Sequence, residues 1–511
     1  MSYAALTDEI ATVNDLLNAA SVLTWDSRTM MPQGGSATRG NQIATLMVLA
    51  QERLVSGNTR KALEKAEAET ASLDSEDPKR AAVAAIGEAI AYHAKIPAEL
   101  LRRKAELRTT AQTVWAKARA EKDFGMFSPY LEQTIALQRE FAEAIGYAAH
   151  PYDALVALYE PGETAASLRG LFAKLREGIQ PLLRAVQAAE DPPSEFLHRE
   201  FPEELQRDFA LKLAGKIGYD MNRGRLDKTV HPFEVSFTRN DVRITTKYLR
   251  DYLPPALFGT LHEAGHGIYE QNVDPELTRT VFATDLLGLY AVGGTSYGAH
   301  ESQSRLYENH IGRSRGFWDL HFSSLQATFP EALAGITAEG FHRAVNRVRP
   351  GFIRIEADEL TYDMHIMLRV ELEIRLMEGS LAVRDLPEAW RAAIKADLGL
   401  EVPDDARGVL QDIHWSSGTV GSFSAYTIGN VMAAQLMQTM RSDKPEVAAA
   451  TDHGDYAPLR GWLTEAVHRH GRRHSRDTLL QRATGRPLDP APYLDYLNAK
   501  YRDIYRLPLP A

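Results

Sequence analysis

Apolar side chains recur at three- and four-residue spacing through much of the chain, which is the period of amphipathic helices. Breaks fall at segments rich in proline and glycine, such as "SEDPK" near Pro78 and "YEPGET" at 159–164. Because no internal repeat and no flexible linker interrupts the pattern, it predicts one large, mainly α-helical domain over 1–511. In the first half of the chain it predicts helices over 1–25, 36–70, 78–123, 126–148, 164–189 and 202–218.

One segment, "VHPFEVSFTRNDVRITTKY" at 230–248, is rich in Val, Phe, Thr and Ile. "FEVSFT" alternates apolar with polar residues, the period of a half-buried strand, and "NDVRITT" continues after a turn at Asn240–Asp241. The pattern predicts a small β element. An exposed sheet edge can pair with an extended peptide, but a purely structural hairpin explains the pattern equally well.

Composition excludes several classes of protein and several kinds of metal site. The 511 residues are 44% hydrophobic and 25% charged, as in soluble globular proteins, and the net charge of -10 argues against a nucleic-acid binder. The chain has no cysteine, so a metal site must use histidine and carboxylate ligands. The first residues do not resemble a signal peptide, and no stretch approaches the roughly 18 apolar residues of a membrane span. We therefore expect a cytoplasmic protein with no membrane partner.

The segment "HEAGH" contains two histidines four residues apart, within a predicted helix that Pro254 opens and Asn272 closes. Helical residues at this spacing have Cβ atoms about 5–6 Å apart, so His262 and His266 can bind one metal ion. Glu263 lies about 100° round the helix and can contact a water on that metal, as the general base of the H-E-x-x-H arrangement does.

A catalytic zinc site uses three protein ligands and leaves one position open. Downstream, "GGTS" predicts a turn rather than a phosphate loop, and a helix is expected from about Ser296. A carboxylate from this second helix would complete the ligand set from another direction. The spacing leaves three candidates open, with Asp285 and Glu270 less suitable: His300, Glu301 and Glu308.

Six short segments follow one another along the chain: "HPF" (His231–Phe233), "DVRIT" (Asp241–Thr245), "HEAGH" (His262–His266), "HESQ" (His300–Gln303), "IRIEAD" (Ile353–Asp358) and "GVLQDIHW" (Gly408–Trp415). Together, and in this order, they resemble the motifs of the M32 metallocarboxypeptidases, the thermostable carboxypeptidase Taq type. Two further segments, "LTWDSRTMMPQGG" and "YDALVALYEPG", extend the resemblance over nearly the whole chain.

The resemblance implies a mainly helical fold, similar to that of neurolysin and angiotensin-converting enzyme, with two helical halves flanking a deep central substrate groove. It assigns the third metal ligand to Glu301, beside His262 and His266, and implies zinc, with cobalt as a possible substitute. It also implies a homodimer that removes single C-terminal amino acids, with broad specificity, from peptides with a free C-terminus.

A carboxypeptidase must hold the α-carboxylate of its substrate, and the planar fork of arginine pairs bidentately with carboxylates. Arg354 and Arg243 are the candidates. Alternatively, Arg354 pairs with Asp358 to stabilise a helix, and Asp241 tethers Arg243 at the strand turn. "FIRIEADELTYDMHIML" predicts a helix with a polar stripe of Arg354, Asp358, Thr361 and His365.

The segment "GVLQDIHWSSGTVGSFSAYTIGN" is rich in Gly and Ser and predicts a loop that covers the groove. A hydrogen-bond donor there would stabilise the oxyanion that develops during peptide hydrolysis. We expect His414 and Tyr426 to supply such donors. A structural loop histidine and a core tyrosine are the alternatives, and His231 of "HPF" is at least as well explained by a structural role.

The leading hypothesis is attack of a metal-bound water on the last peptide bond, with Glu263 moving the proton. An oligopeptidase or endopeptidase on the same scaffold is the first alternative. A non-catalytic peptide-binding protein with a residual metal site is the second. It is disfavoured because Glu263, which a purely structural metal site would not need, is present.

Overall fold

The computed structural model describes residues 2–508, so Met1 and 509–511 lie outside the described residues. Helices dominate. In chain order they are α1 (Ser2–Thr29), α2 (Ser36–Leu54), α3 (Gly57–Thr70), α4 (Pro78–Lys95), α5 (Ala98–Glu121), α6 (Phe124–Ile145), α7 (Pro151–Val156), α8 (Ala165–Gln187), α9 (Glu203–Ile217), α10 (Pro254–Gln271), α11 (Tyr297–Arg305), α12 (Arg315–Thr328), α13 (Ala338–Val345), α14 (Glu359–Glu378), α15 (Leu386–Leu398), α16 (Ser424–Asp443), α17 (Pro445–Asp452), α18 (Ala457–Ala466), α19 (Arg476–Thr484) and α20 (Ala491–Tyr505).

The chain packs as two compact units, each built from separated stretches of sequence. The first unit comprises the described residues up to Ala94, together with Pro193–Val345 and Met432–Leu488. The second comprises Lys95–Pro192, Asn346–Val431 and the described residues from Asp489 onward. Among residues 2–508, no helix combines the length and the apolar character that crossing a membrane requires.

Two of the predicted helices are interrupted. The expected helix over 36–70 divides at Val55–Ser56, where the Ser56 side chain accepts a hydrogen bond from the Thr59 backbone N–H and begins α3. The expected helix over 78–123 divides at Ile96–Pro97. Proline lacks a backbone N–H and therefore cannot continue α4.

A three-stranded sheet lies in the first unit, with order β1-β3-β2 and strands β1 (Gly224–Lys228), β2 (Glu234–Thr238) and β3 (Asp241–Thr246). The pair β2–β3 is the predicted antiparallel hairpin, with a bulge near Thr238. The strand β1, which pairs parallel to β3, was not predicted. Its sequence "GRLDK" is short and mostly charged, so it carries little strand signal.

Helix α10 lies at the centre of the first unit, against α9, α11 and β3. The predicted apolar stripe is confirmed, because its members are fully buried: Leu257, Leu261, Ala264 and Ile268. The predicted boundaries of this helix are also confirmed, with prolines in its first turn and Asn272 directly after its end.

The predicted helix over "FIRIEADELTYDMHIML" is wrong at its start, because the observed helix begins only at Glu359. Arg354–Glu356 form a 3₁₀ turn, and Asp358 is the N-cap of α14, accepting a hydrogen bond from the Thr361 backbone N–H at 3.0 Å. Arg354 therefore shares no helix face with Asp358. The predicted loop over 408–430 is also too long, because α16 begins at Ser424 and carries Tyr426.

Candidate metal centre

The close approach of α10 and α11 positions the candidate site. Gly265 makes it possible: a Cβ atom there would lie 2.5 Å from the Gln303 carbonyl oxygen and 2.7 Å from Ser304 Cα. A glycine inside a helix costs about 1 kcal/mol relative to alanine. This cost is offset here because backbone contact brings the "HEAGH" and "HESQ" segments together.

His262 and His266 on α10 and Glu301 on α11 form a possible metal site, since their ligand atoms all lie within 4.8 Å of one another. Glu301 Oε2 is 3.4 Å from His266 Nε2 and 3.8 Å from His262 Nε2. Ligands about 2.0–2.1 Å from one tetrahedral ion are separated by about 3.3 Å. Two imidazoles and one carboxylate therefore fit a divalent cation with an open fourth position.

The other candidate ligand, Glu308, contacts the opposite nitrogen of His262. Its Oε2 atom lies 2.9 Å from His262 Nδ1. Glu308 belongs to a π-helical turn, Leu306–Gly312, that follows α11 and turns this side chain toward α10. A carboxylate on the second ring nitrogen of a ligand histidine fixes its tautomer and orientation.

Arg305 links the two carboxylates of this centre. Its Nε atom is 2.8 Å from Glu301 Oε1, and its Nη1 atom is 3.1 Å from Glu308 Oε2. Burial alone would raise the pKa of Glu301, but Arg305 and the two histidines hold it well below its ordinary value. Sequence reasoning missed Arg305, although its spacing from Glu301 and Glu308 on one helix was the available signal.

Glu263 follows His262 on α10 and is 6% exposed. Burial raises its pKa to about 7; His262 opposes the rise, and the nearby charges of Glu301 and Glu308 add to it. A carboxyl group with a pKa near neutrality can both accept and return a proton at physiological pH.

His300, Asp285 and Glu270 are not among the three converging ligands. His300 instead contacts the other face of the centre, with Nδ1 2.5 Å from His266 Nδ1. His231 is exposed.

Arg243, on β3, is engaged locally. Its Nε and Nη2 atoms each lie 2.8 Å from the Asp241 carboxylate, and its guanidinium lies over the rings of Trp25 and Phe237 at 4.3 and 4.8 Å. Asp241 therefore tethers Arg243, as in the alternative interpretation, and both donors of this side of the guanidinium are already paired.

Arg354 lies in the second unit and is 7% exposed. Its Nε and Nη2 atoms are 3.0 and 2.9 Å from Asp412 Oδ1, and its Nη1 atom is 3.1 Å from the Tyr362 hydroxyl. Asp412 Oδ2 accepts a second bond from the buried Arg369 at 2.7 Å. Two guanidinium groups sharing one carboxylate leave an excess positive charge. Sequence reasoning missed Asp412 and Arg369, although Asp412 lies within a matched motif.

His414 and Tyr426 adjoin this cluster. The Arg354 guanidinium is 5.3 Å from the Tyr426 ring. His414 Nδ1 is buried and has no hydrogen-bond partner among the described residues, since Asp412 Oδ1 is 3.9 Å away. Burial, reinforced by Arg354, lowers the pKa of His414 to about 4, so its imidazole is neutral at pH 7.

The family model described as Carboxypeptidase Taq (M32) metallopeptidase matches residues 5–501. The chain belongs to this family. It is 40% identical over 501 residues to "Carboxypeptidase 1" of Bacillus subtilis, covering 98% of each chain, and 38% identical to "Thermostable carboxypeptidase 1" of Thermus thermophilus, covering 96% of each. The crystal structure of the M32 carboxypeptidase from Deinococcus radiodurans superposes with a TM-score of 0.94, at 40% identity and 99% coverage of both chains.

These findings confirm the predicted family and the mainly helical fold with its small β element. The chain is a metallocarboxypeptidase.

Proposed function

We propose that this M32 enzyme releases single C-terminal amino acids from peptides with broad specificity, using Glu263 as the general base. The observation that carries the proposal is the convergence of His262, His266 and Glu301 beside a buried glutamate of raised pKa. His262, His266 and Glu301 would hold zinc, or cobalt in its place. When bound, the ion acts as a Lewis acid toward water and the peptide carbonyl.

The residues of the chain perform the proton transfers in this proposal. Glu263 accepts a proton from the attacking water and returns it to the leaving amine. His414 and Tyr426 donate hydrogen bonds to the oxygen of the scissile carbonyl as negative charge develops there. The deeply buried, neutral imidazole of His414 supports this role, because a preorganised donor is most effective away from water.

Arg354 is proposed to anchor the substrate carboxylate. The excess positive charge that Arg354 and Arg369 keep around Asp412 supports this choice. Arg243, the second candidate, is supported less well because Asp241 forms a salt bridge with it one to one, whereas Asp412 is shared between Arg354 and Arg369.

Matched substrates test the proposal. We expect hydrolysis of N-blocked dipeptides with a free C-terminus, and loss of hydrolysis when the same C-terminus is amidated. Arg354→Lys should raise KM for the free-carboxylate substrate, because lysine cannot pair bidentately, and Arg243→Lys is the matched comparison. Equal hydrolysis of amidated substrates would instead identify an oligopeptidase or endopeptidase.

We also propose that the chain acts as one peptidase domain in the cytoplasm, and that it forms a homodimer, as the family resemblance implies. Light scattering in solution should then give twice the 56.8 kDa mass of the chain. A mass of one chain at micromolar concentration would reject the dimer.

A further inference from the structure

His300 begins the "HESQ" motif and has no role in the proposed chemistry. Its side chain is 13% exposed. The His300 ring lies 4.5 Å from the His266 ring and 5.4 Å from the Tyr269 ring, with planes 23° and 24° apart. The aromatic rings of α10 therefore fix the orientation of this imidazole.

The hydrogen bonds of His300 define where each proton lies. His300 Nε2 is 3.0 Å from Glu270 Oε1, and a carboxylate oxygen accepts, so His300 Nε2 donates. When a metal ion is bound at His266 Nε2, the proton of that imidazole lies on Nδ1. His266 Nδ1, at 2.5 Å from His300 Nδ1, is then the donor and His300 Nδ1 the acceptor.

With the protons in these positions, His266 Nε2 carries no proton. That nitrogen lies 3.4 Å from Glu301 Oε2, on the side of the proposed ion. A neutral imidazole binds a metal through the nitrogen that carries no hydrogen, and the bond made by the other nitrogen selects this tautomer.

Glu270 is held as a carboxylate by two peptide groups. The Gly293 backbone N–H donates to Glu270 Oε2 at 2.9 Å, and the Gly294 backbone N–H donates to Oε1 at 2.9 Å. Burial raises the pKa of Glu270, but the hydrogen bond from His300 and those from these two N–H groups outweigh it and hold the pKa below its ordinary value.

The "GGTS" turn has glycine at both positions because a larger residue would displace the side chains of Glu270 and His300. A Cβ atom on Gly293 would lie 2.6 Å from Val273 Cγ2 and 3.0 Å from Glu270 Oε2. A Cβ atom on Gly294 would lie 2.4 Å from His300 Cδ2. The turn thus contributes both hydrogen-bond donors and the space that the imidazole occupies.

We propose that His300, Glu270 and the Gly293–Gly294 peptide groups form a positioning relay that presents the unprotonated Nε2 of His266 to the metal ion. The inference rests on the proposed metal centre. His300 is a positioning residue, since it acts through His266. The two ligand histidines are then oriented differently: His262 by the carboxylate of Glu308 directly, and His266 by a carboxylate acting through an intervening imidazole.

Two substitutions at one position test the relay. His300→Phe keeps an aromatic ring but has neither nitrogen, whereas His300→Gln supplies one acceptor and one donor. Zinc affinity is measured by competition with a chromophoric chelator, so that no enzyme assay is needed. We expect His300→Phe to lower affinity about 10–100-fold, and His300→Gln to restore most of it.

Spectroscopy tests the proton order itself. In the zinc-loaded wild-type protein with ¹⁵N-labelled histidine, His266 should show a slowly exchanging proton on Nδ1, and His300→Phe should accelerate its exchange. Wild-type affinity in His300→Phe would overturn the relay, as would equal losses in the Phe and Gln variants, which would indicate a role in packing.

Glu270→Gln provides a second test if His300→Phe fails to fold. The carboxamide has only one acceptor oxygen for three N–H donors, so zinc affinity should again fall. Unchanged affinity in this variant would overturn the relay. If the wild-type protein itself bound no zinc, the proposed metal centre would fail, and this result is distinct from binding that is insensitive to His300 and Glu270.

Discussion

At the scale of single residues, two buried glutamates of the α10–α11 pair have pKa values pushed apart by their surroundings. Burial raises the pKa of Glu263 to about 7, whereas Arg305 and two histidines keep the pKa of the equally buried Glu301 well below its ordinary value. When the pKa values of two neighbouring carboxyl groups differ in this way, one group can exchange a proton while the other remains ionised. Glu301 is thereby suited to remain an ionised ligand, and Glu263 to exchange a proton.

Glu263→Gln should therefore keep the metal and lose turnover. The amide has nearly the same shape but cannot accept a proton, and a general base contributes about 10²–10⁴-fold to rate. The measurements are metal content and kcat on an N-blocked dipeptide. Glu276→Gln, which changes an exposed carboxylate of the same unit, is the control. Full activity of Glu263→Gln would remove this residue from the mechanism.

Arg305→Gln should destabilise the metal-free protein. The substitution leaves Glu301 and Glu308 buried without their shared cation, and breaking a buried ion pair costs about 3–5 kcal/mol. Denaturant unfolding of the chelated protein measures the loss of unfolding free energy.

Arg102→Gln is the matched control for this prediction. Arg102 contacts Glu99 and Glu106 on α5 with similar helical spacing, but the three side chains are exposed. Exposed ion pairs are screened by water and contribute little. Similar losses of stability in both variants would show that burial is not the reason for the effect at Arg305.

At the scale of elements, local signals predicted well the two helices that carry the candidate metal ligands. Two prolines begin α10, and the Ser296 cap begins α11 where it was expected. Breaks within continuing apolar patterns were missed, as at Ser56, because the period of three to four residues continues on both sides. At the start of α14, Asp358 is a preferred N-cap residue and was the signal that would have excluded Arg354 from the helix.

Gly265→Ala should separate α10 from α11. The added Cβ atom would meet the backbone at Gln303 and Ser304, which cannot move as a flexible side chain does. Overpacking of this kind costs about 1–3 kcal/mol, and zinc affinity should fall because His262 and His266 move relative to Glu301. Denaturant unfolding and zinc titration measure the two effects.

Gly259→Ala, on the same helix, is the control for the Gly265 substitution. A Cβ atom there would lie 3.6 Å from Thr246 Oγ1, which is ordinary van der Waals contact. Alanine favours the helix by about 1 kcal/mol over glycine, so this variant should be as stable as the wild type or more stable. A stable, zinc-binding Gly265→Ala protein would contradict the proposed reason for this glycine.

At the scale of the whole molecule, local patterns could not predict which distant residues meet. In the second unit, the Tyr493 hydroxyl donates to Asp363 Oδ2 at 2.7 Å across 130 positions, and Asp412 lies 58 positions beyond Arg354. Periodicity describes one element at a time, so it gives no partner for a buried charge. Motif resemblance supplied the candidate ligand set, whereas Arg305, Arg369 and the assignment of separated stretches of sequence to each unit required the structure.

Removing the metal should lower the thermal stability of the first unit. His262, His266 and Glu301 all belong to that unit, and converge only when it is folded. A ligand that binds only the folded state adds about 2.7 kcal/mol at a free concentration 100 times its Kd. Calorimetry of the zinc-loaded protein should therefore show a transition that moves to lower temperature on chelation and returns when zinc is restored. Glu301→Gln binds zinc more weakly in this scheme, so chelation should shift its transition less. The contradicting result would be a wild-type protein that contains one zinc per chain but unfolds at the same temperature after chelation. The zinc would then not be bound at a site that folding creates.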